Sequence, residues 1–188
     1  MAPALDSALR RGSNECGKKK KRVGPGVTFG GGRIAVDLWK TAGTSARHFF
    51  LTHCHTDHTH GLTPSWRHGP IYCSPITARL LKVMFDLDDS LLRPLEVNES
   101  HQLADFCVTL LEANHCPGAV MFLFESDSFG TVLCTGDMRH DHRMEKMFAT
   151  EPAFMRLQKL TIDHIYLDNT YLDEKIAEFP TREEAISE

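Results

Sequence analysis

Apolar residues along the chain gather in short runs, each closed by a glycine, a proline or an acidic residue, and that punctuation predicts β-strands joined by tight connections. Residues 33–39 read as a buried strand interrupted by one carboxylate, Asp37, near its C-terminal edge. An apolar run at 48–51, a short strand at 70–73 and further strands at 95–97, 107–113 and 120–124 follow, and two later runs lead into Asp137 and Asp168. One helix start is explicit. Ser74 suits the N-cap and Pro75 the first helical position of a segment reaching Leu81, because the serine oxygen can accept an orphan backbone N–H and proline has none to lose. No apolar run approaches the roughly 18 residues of a membrane-spanning helix, so a span is excluded.

The residues capable of chemistry sit where these runs end. Directly after 48–51 comes His53-Cys54-His55-Thr56-Asp57-His58, three imidazoles and a carboxylate within six residues. Residues two apart point to nearly opposite sides of a helix but to one side of an extended segment, so His53 and His55 belong to a strand end or loop where both rings reach one ion. Asp57 and His58, followed by His60-Gly61-Leu62, read as the first turn of a helix aimed at a neighbouring ion, which implies two metals. The spacing differs from H-E-x-x-H, whose ligands share a helix face. His115 lies after the strand at 107–113 and just before Pro117-Gly118, a tight turn that would hold it still as the third ligand of the first ion. Asp137 ends another strand, and because a carboxylate offers two oxygens it is assigned as the ligand that bridges both ions.

Four more positions complete the candidate site. Asp37, one strand before the ligand loop, suits a residue that receives an imidazole N–H and fixes its tautomer. Asp168 ends a strand in the same way. Ser74 and Thr77 are weaker candidates for binding a phosphate at a helix start, although capping alone accounts for them. Side chains gathered at strand ends from distant segments are how α/β scaffolds assemble a site from loops. His140, His142 and His164 fall outside this pattern and read as surface or ordinary core histidines.

Charge divides the chain in two. Residues 1–22 carry 7 Lys/Arg against 2 Asp/Glu, and the remaining 166 carry 14 against 23. Residues 1–32 therefore read as a flexible, basic and glycine-rich extension without a signal-peptide core, and residues 33–188 as the folded part. The run at 18–22 is either a nuclear-import or nucleic-acid contact or a merely solvated charge run. An acidic folded part is unexpected for a phosphate-gripping protein, although two divalent ions would invert the field at the site itself. The six cysteines lack C-x-x-C spacing and fit reduced thiols in a cytosolic or nuclear protein. Cys54 and Cys116 adjoin ligand histidines and are either soft ligands or, as preferred, small buried side chains facing away.

The H-x-H-x-D-H motif, with the later histidine and the Thr135-Gly136-Asp137 aspartate, resembles the signature of the metallo-β-lactamase fold, an αββα sandwich of the α/β class. Residues 35–39, 72–77, 113–121 and 166–170 are similar to blocks of its nucleic-acid-processing β-CASP branch, closest to the 5′ exonucleases of telomere protection and interstrand crosslink repair. By position, Asp37 matches the family's first-motif aspartate, His53, His55, Asp57 and His58 its second motif, His115 and Asp137 its third and fourth, and Asp168 the acid that opens the β-CASP region. The resemblance implies one or two zinc ions, with magnesium or manganese able to support activity, and a 5′-phosphorylated DNA substrate. It also implies a nuclear location at telomeres and a telomeric shelterin partner bound through a C-terminal segment absent here. The chain is expected to be the N-terminal part of that fold, ending before the β-CASP domain.

The metal motif together with this resemblance implies metal-assisted phosphodiester hydrolysis, with Asp57 and Asp137 closest to the chemistry. Two alternatives remain at this point: a metallo-hydrolase of a small thioester or lactam, and a catalytically incompetent fragment that acts as a binding module.

Overall fold

A computed structural model of the chain describes residues 25–40, 45–171 and 180–187. The basic run at 18–22 and Cys16 lie outside the described residues. Five short strands, β1 (Val27–Phe29), β2 (Ile34–Val36), β3 (His48–Phe50), β4 (Ile71–Cys73) and β5 (Leu92–Pro94), form one sheet in that order. β1 pairs antiparallel with β2, and the others pair in parallel. A second sheet has the order β10-β9-β8-β7-β6, from β6 (Ser100–Leu103), β7 (Phe106–Glu112), β8 (Val120–Ser126), β9 (Gly130–Cys134) and β10 (His164–Tyr166). Only β9 and β10 pair in parallel there. The helices are α1 (Pro75–Phe85), α2 (His142–Thr150), α3 (Pro152–Leu157) and α4 (Arg182–Ser187).

Layering follows from the two-residue period of side chains along a strand. Ile34, Val36 and Phe50 of the first sheet meet Val108, Leu110, Phe122, Phe124 and Val132 of the second in one buried cluster. The alternate residues Ala35, Phe49 and Leu51 turn the other way and pack with Ile71, Trp66 and the Ala78 and Leu81 face of α1. On the far side Leu111, Met121, Leu123 and Leu133 pack against Met144 of α2 and Phe154 and Leu157 of α3. Strands buried on both faces explain why the sequence shows near-continuous apolar runs rather than a polar alternation. The result is an αββα sandwich, as expected for the fold class. Its middle layer is aromatic: Phe50 meets the rings of Tyr72, Phe122 and Phe124 at centroid distances of 4.9, 5.2 and 4.9 Å.

Three local expectations need correction. Residues 27–32, assigned to the extension, join the first sheet: Gly30, Gly31 and Gly32 all take positive φ (59°, 65° and 79°), a left-handed path that only glycine follows cheaply, and this turns β1 back onto β2. Residues 95–97 make no strand. Val97 forms a single bridge to Leu110, and Asn98 at φ 66° turns the chain away, while the sheet edge is supplied by β5, entered from a 3-10 turn at Asp89–Leu91. The helix expected at Asp57 is one turn: His58 and Thr59 N–H groups both donate to the His55 carbonyl, after which Gly61 at φ 103° prevents continuation. α2 and α3, short and joined at Pro152, were not legible in the strand-dominated pattern.

Candidate metal centre

Each predicted site residue outside α1 follows the C-terminal end of a strand or the loop after it: Asp37 after β2, His53 to His58 after β3, His115 after β7, Asp137 after β9 and Asp168 after β10. β2 and β3 are parallel, and β7, β9 and β10 share one direction through two antiparallel steps and a parallel one. Both sheets thus deliver these ends to one edge. There the Val120 N–H donates to the Thr52 carbonyl at 3.1 Å, a backbone tie between the layers.

Four donor atoms, from His53, His55, His115 and Asp137, all lie within 4.8 Å of one another. His55 Nδ1 stands 3.0 Å from His53 Nε2 and 3.1 Å from His115 Nε2. Asp137 Oδ2 is 3.7 Å from His53 Nε2 and 3.6 Å from His115 Nε2. Zinc bonds of about 2.0–2.1 Å at tetrahedral angles separate neighbouring donors by about 3.3 Å, a value these four separations bracket, while the widest pair of the cluster, up to 4.8 Å apart, must draw in for all four to hold one ion. Burial, helped by the charge of His58, depresses the His53 pKa to about 3 despite the pull of Asp137. Burial also lowers that of His115. Both rings are therefore neutral near pH 7 and keep lone pairs for a cation. The Asp137 carboxyl is held below its usual range by its hydrogen bond to His58, against the effect of burial.

His58 stands on the other side of Asp137. Its Nε2 is 3.0 Å from Asp137 Oδ1 and 3.9 Å from Asp57 Oδ2, and its Nδ1 is 2.8 Å from Asp37 Oδ2. Burial acts to lower its pKa, but the hydrogen bonds to Asp137 and Asp37 outweigh it and raise the value to about 10. The three carboxylates around it make a place of strong negative potential, and a cation bound there would displace the Nε2 proton to reach its lone pair. A second cation there would face His58, Asp137 Oδ1 and the exposed Asp57. Asp57 lies at the rim, 71% exposed, outside the four-donor cluster.

The supporting contacts begin with Thr52, buried at 1% exposure. Its N–H and hydroxyl both donate to Asp37, at 2.9 and 2.7 Å, and its hydroxyl oxygen lies 3.0 Å from His53 Nδ1. Since the hydroxyl proton goes to Asp37, His53 Nδ1 carries the hydrogen in that contact and its Nε2 lone pair faces the cluster. The imidazole that Asp37 meets is that of His58. Trp39 Nε1 donates to the His58 carbonyl at 2.6 Å and anchors the ligand turn. Asp168 accepts the Met138 N–H at 3.1 Å, and its own N–H donates to Thr135 Oγ1 at 2.8 Å, so it tethers the loop bearing Asp137.

Ser74 and Thr77 do not open a phosphate pocket. Both are buried, and both hydroxyls donate to the Gly118 carbonyl, at 2.7 and 3.0 Å, while Ser74 Oγ caps the Thr77 N–H. Gly118 sits at φ 83°, and a Cβ on it would come within 2.9 Å of Ile76 and of Thr77 Oγ1. The helix start therefore clamps the turn that follows His115. Cys54 Sγ points to the Thr77 carbonyl at 3.8 Å, away from the donors, and Cys116 packs beside the α2 and α3 cluster. His140, His142 and His164 are exposed. No disulfide joins the described cysteines.

Thr52, Trp39 and Asn114 were not singled out by sequence reasoning. A threonine closing an apolar run carries no signal of its own, and only Asn114, beside His115 and at φ 55°, belongs to a residue type that favours such a backbone. Two cavities, of about 530 and 670 Å³, meet at Asp137 and Asp168. Among the described residues no helix is long and apolar enough to cross a membrane.

No family model matches the chain. Over 148 residues, 77% of its length, it is 51% identical to 5′ exonuclease Apollo of Gallus gallus, covering 30% of that protein. It is 40% identical over 143 residues, 73% of its length, to the DNA cross-link repair protein pso2/snm1 of Schizosaccharomyces pombe, covering 24% of it. Among solved structures the metallo-β-lactamase MIM-2 aligns with 74% of the chain and 67% of its own, at 17% identity and a TM-score of 0.45. The chain thus spans under a third of the length of the curated relatives it matches. Over the residues it shares with them, it is a close homologue of the proteins named 5′ exonuclease Apollo and a more distant one of the DNA cross-link repair proteins.

Proposed function

We propose that this protein is a metal-dependent nuclease that hydrolyses phosphodiester bonds of DNA from a 5′ end. The observation that carries the reading is the two-sided placement of Asp137, whose Oδ2 faces His53 and His115 while its Oδ1 faces His58. His53, His55, His115 and Asp137 would hold a zinc ion. Asp57, His58 and Asp137 would hold a second zinc, or a magnesium or manganese ion suited to the richer oxygen set. Bound divalent cations lower the pKa of water and neutralise charge on phosphoryl oxygens.

The chain's own groups do the positioning. Thr52 and Asp37 fix which nitrogens of His53 and His58 face the centre. Asp57, exposed and 3.9 Å from His58 Nε2, would accept a proton from the attacking nucleophile. The adjoining cavities are large enough for a nucleotide on either side of Asp137. A 5′-phosphorylated DNA end as substrate, a nuclear and telomeric location and a shelterin partner belong to this proposal, and the identity with proteins named 5′ exonuclease Apollo supports the first of them.

The test uses a 3′-labelled single strand bearing a 5′ phosphate, with added zinc, magnesium or manganese. Progressive shortening from the 5′ end, abolished by a chelator and by Asp137→Ala, is the expected result. Intact DNA together with turnover of a thioester or lactam would replace this reading by the small-molecule one.

A further inference from the structure

Asn114, the residue before His115, is fixed by more contacts than a turn residue requires. Its side-chain amide donates to the Arg139 carbonyl at 2.9 Å and to Asp141 Oδ1 at 2.7 Å. The Arg139 N–H in turn donates to the Ala113 carbonyl at 3.1 Å. These bonds join the loop after β7 to the loop after β9, and so set the distance between His115 and Asp137. Asp141 is the shared post: it also caps α2 through the Arg143 N–H at 2.9 Å and lies 3.5 Å from Arg139 Nε.

A residue from far along the chain reaches the same knot. Arg182, at the start of α4, donates from Nη2 to the Asn114 carbonyl, and its Nε lies 3.7 Å from Asp141 Oδ2. The guanidinium fork thus spans both loops at once, contacting the peptide unit that links Asn114 to His115. Lysine carries its three donors on one nitrogen and lacks the fork that presents Nη2 and Nε to separate partners. α4 is tied down separately by Arg143 Nη2 to Glu183 Oε1 at 2.9 Å and by Arg139 Nη2 to the Pro180 carbonyl at 3.1 Å.

We infer that Arg182 is a positioning residue for the metal centre, orienting His115 through the Asn114 carbonyl and holding the His115 loop against the Asp137 loop. The inference rests on the reading of His53, His55, His115 and Asp137 as a metal site. The segment around Arg182 is then coupled to ligand geometry as well as attached to the surface. Removing a residue that orients a ligand typically costs about 10–100-fold in metal affinity.

The test compares Arg182→Ala, Arg182→Lys and Arg143→Ala with the wild-type chain. Zinc affinity is read by competition with a chromophoric chelator, and ligand geometry by the visible absorption of the cobalt-substituted protein. Both Arg182 variants are expected to bind zinc about 10–100-fold more weakly and to change the cobalt spectrum, with Arg143→Ala within about 2-fold of wild type and spectrally unchanged. Arg182→Lys keeps a cation beside Asp141 and so reads the lost contact even if the alanine variant folds poorly. Wild-type affinity and spectrum in Arg182→Lys, or an equal loss in Arg143→Ala, would overturn the inference alone. A wild-type chain that binds no zinc or cobalt would overturn it together with the proposed function.

Discussion

Replacing Thr52 with valine keeps the shape of a fully buried side chain and removes one hydroxyl. That hydroxyl donates to Asp37 at 2.7 Å and lies 3.0 Å from His53 Nδ1. A hydrogen bond to a charged group is worth about 1.5–3 kcal/mol, and an N–H left buried without an acceptor costs about 1–3 kcal/mol. The two effects share one atom and do not simply add, so the folded metal-free protein is expected to lose about 2–4 kcal/mol. His53 also loses the contact that keeps its hydrogen on Nδ1, so zinc affinity should fall about 10–100-fold, equivalent to about 1.4–2.7 kcal/mol. Chemical denaturation measures the first loss and chelator competition the second. Thr52→Ser, which restores the hydroxyl, should recover most of the affinity. Unaltered zinc binding in Thr52→Val would refute the claim that Thr52 sets the His53 tautomer.

Ser74→Ala removes the α1 cap and one of two bonds to Gly118, so a stability loss of about 1–2 kcal/mol is expected in urea, with no change in the ratio of rates on 5′-phosphorylated and 5′-hydroxyl strands; a changed ratio would restore the phosphate-pocket reading. Gly118→Ala places a Cβ within 2.9 Å of Ile76 at φ 83° and should destabilise by about 1–3 kcal/mol, read by thermal melting; a melt like wild type would remove the clamp from the account. Burial pushes the Cys73 and Cys134 thiols upward, which lowers their thiolate fraction at every pH below that raised value. Alkylation at pH 8 followed by mass spectrometry should therefore leave both unmodified until the protein is unfolded, and rapid native labelling would contradict their placement in the core.

The strands were legible because both faces of most of them are buried, so runs such as residues 107–113 and 120–124 stand out whichever way their side chains turn. β1 and β6 were not. Val27–Phe29 is short and lies among glycines, and Ser100–Leu103 alternates exposed and half-buried residues at a sheet edge. The donor residues were legible because imidazoles and carboxylates at strand ends are few and clustered. Their supports were not, because the roles of Thr52, Trp39 and Arg182 depend on partners that share no local pattern with them. Ser74 shows the opposite error. A sound local reading, the helix cap, was right, while the anion function drawn from it ignored the Gly118 carbonyl, 44 residues away in sequence.

The four donors come from opposite layers: His53 and His55 from the sheet carrying β3, His115 and Asp137 from the sheet carrying β7 and β9. An ion held among them would act as a cross-brace, resisting any slide of one layer over the other in a way that the aromatic filling between them, which is non-directional, does not. Occupancy and rigidity become a single thermodynamic quantity. Each tenfold rise in free ion above the dissociation constant should add about 1.4 kcal/mol to the unfolding free energy. Stripping the ion should loosen the edge of the sandwich where the strands end before it disturbs the far side, an order that amide exchange along β3, β7 and β9 would read directly.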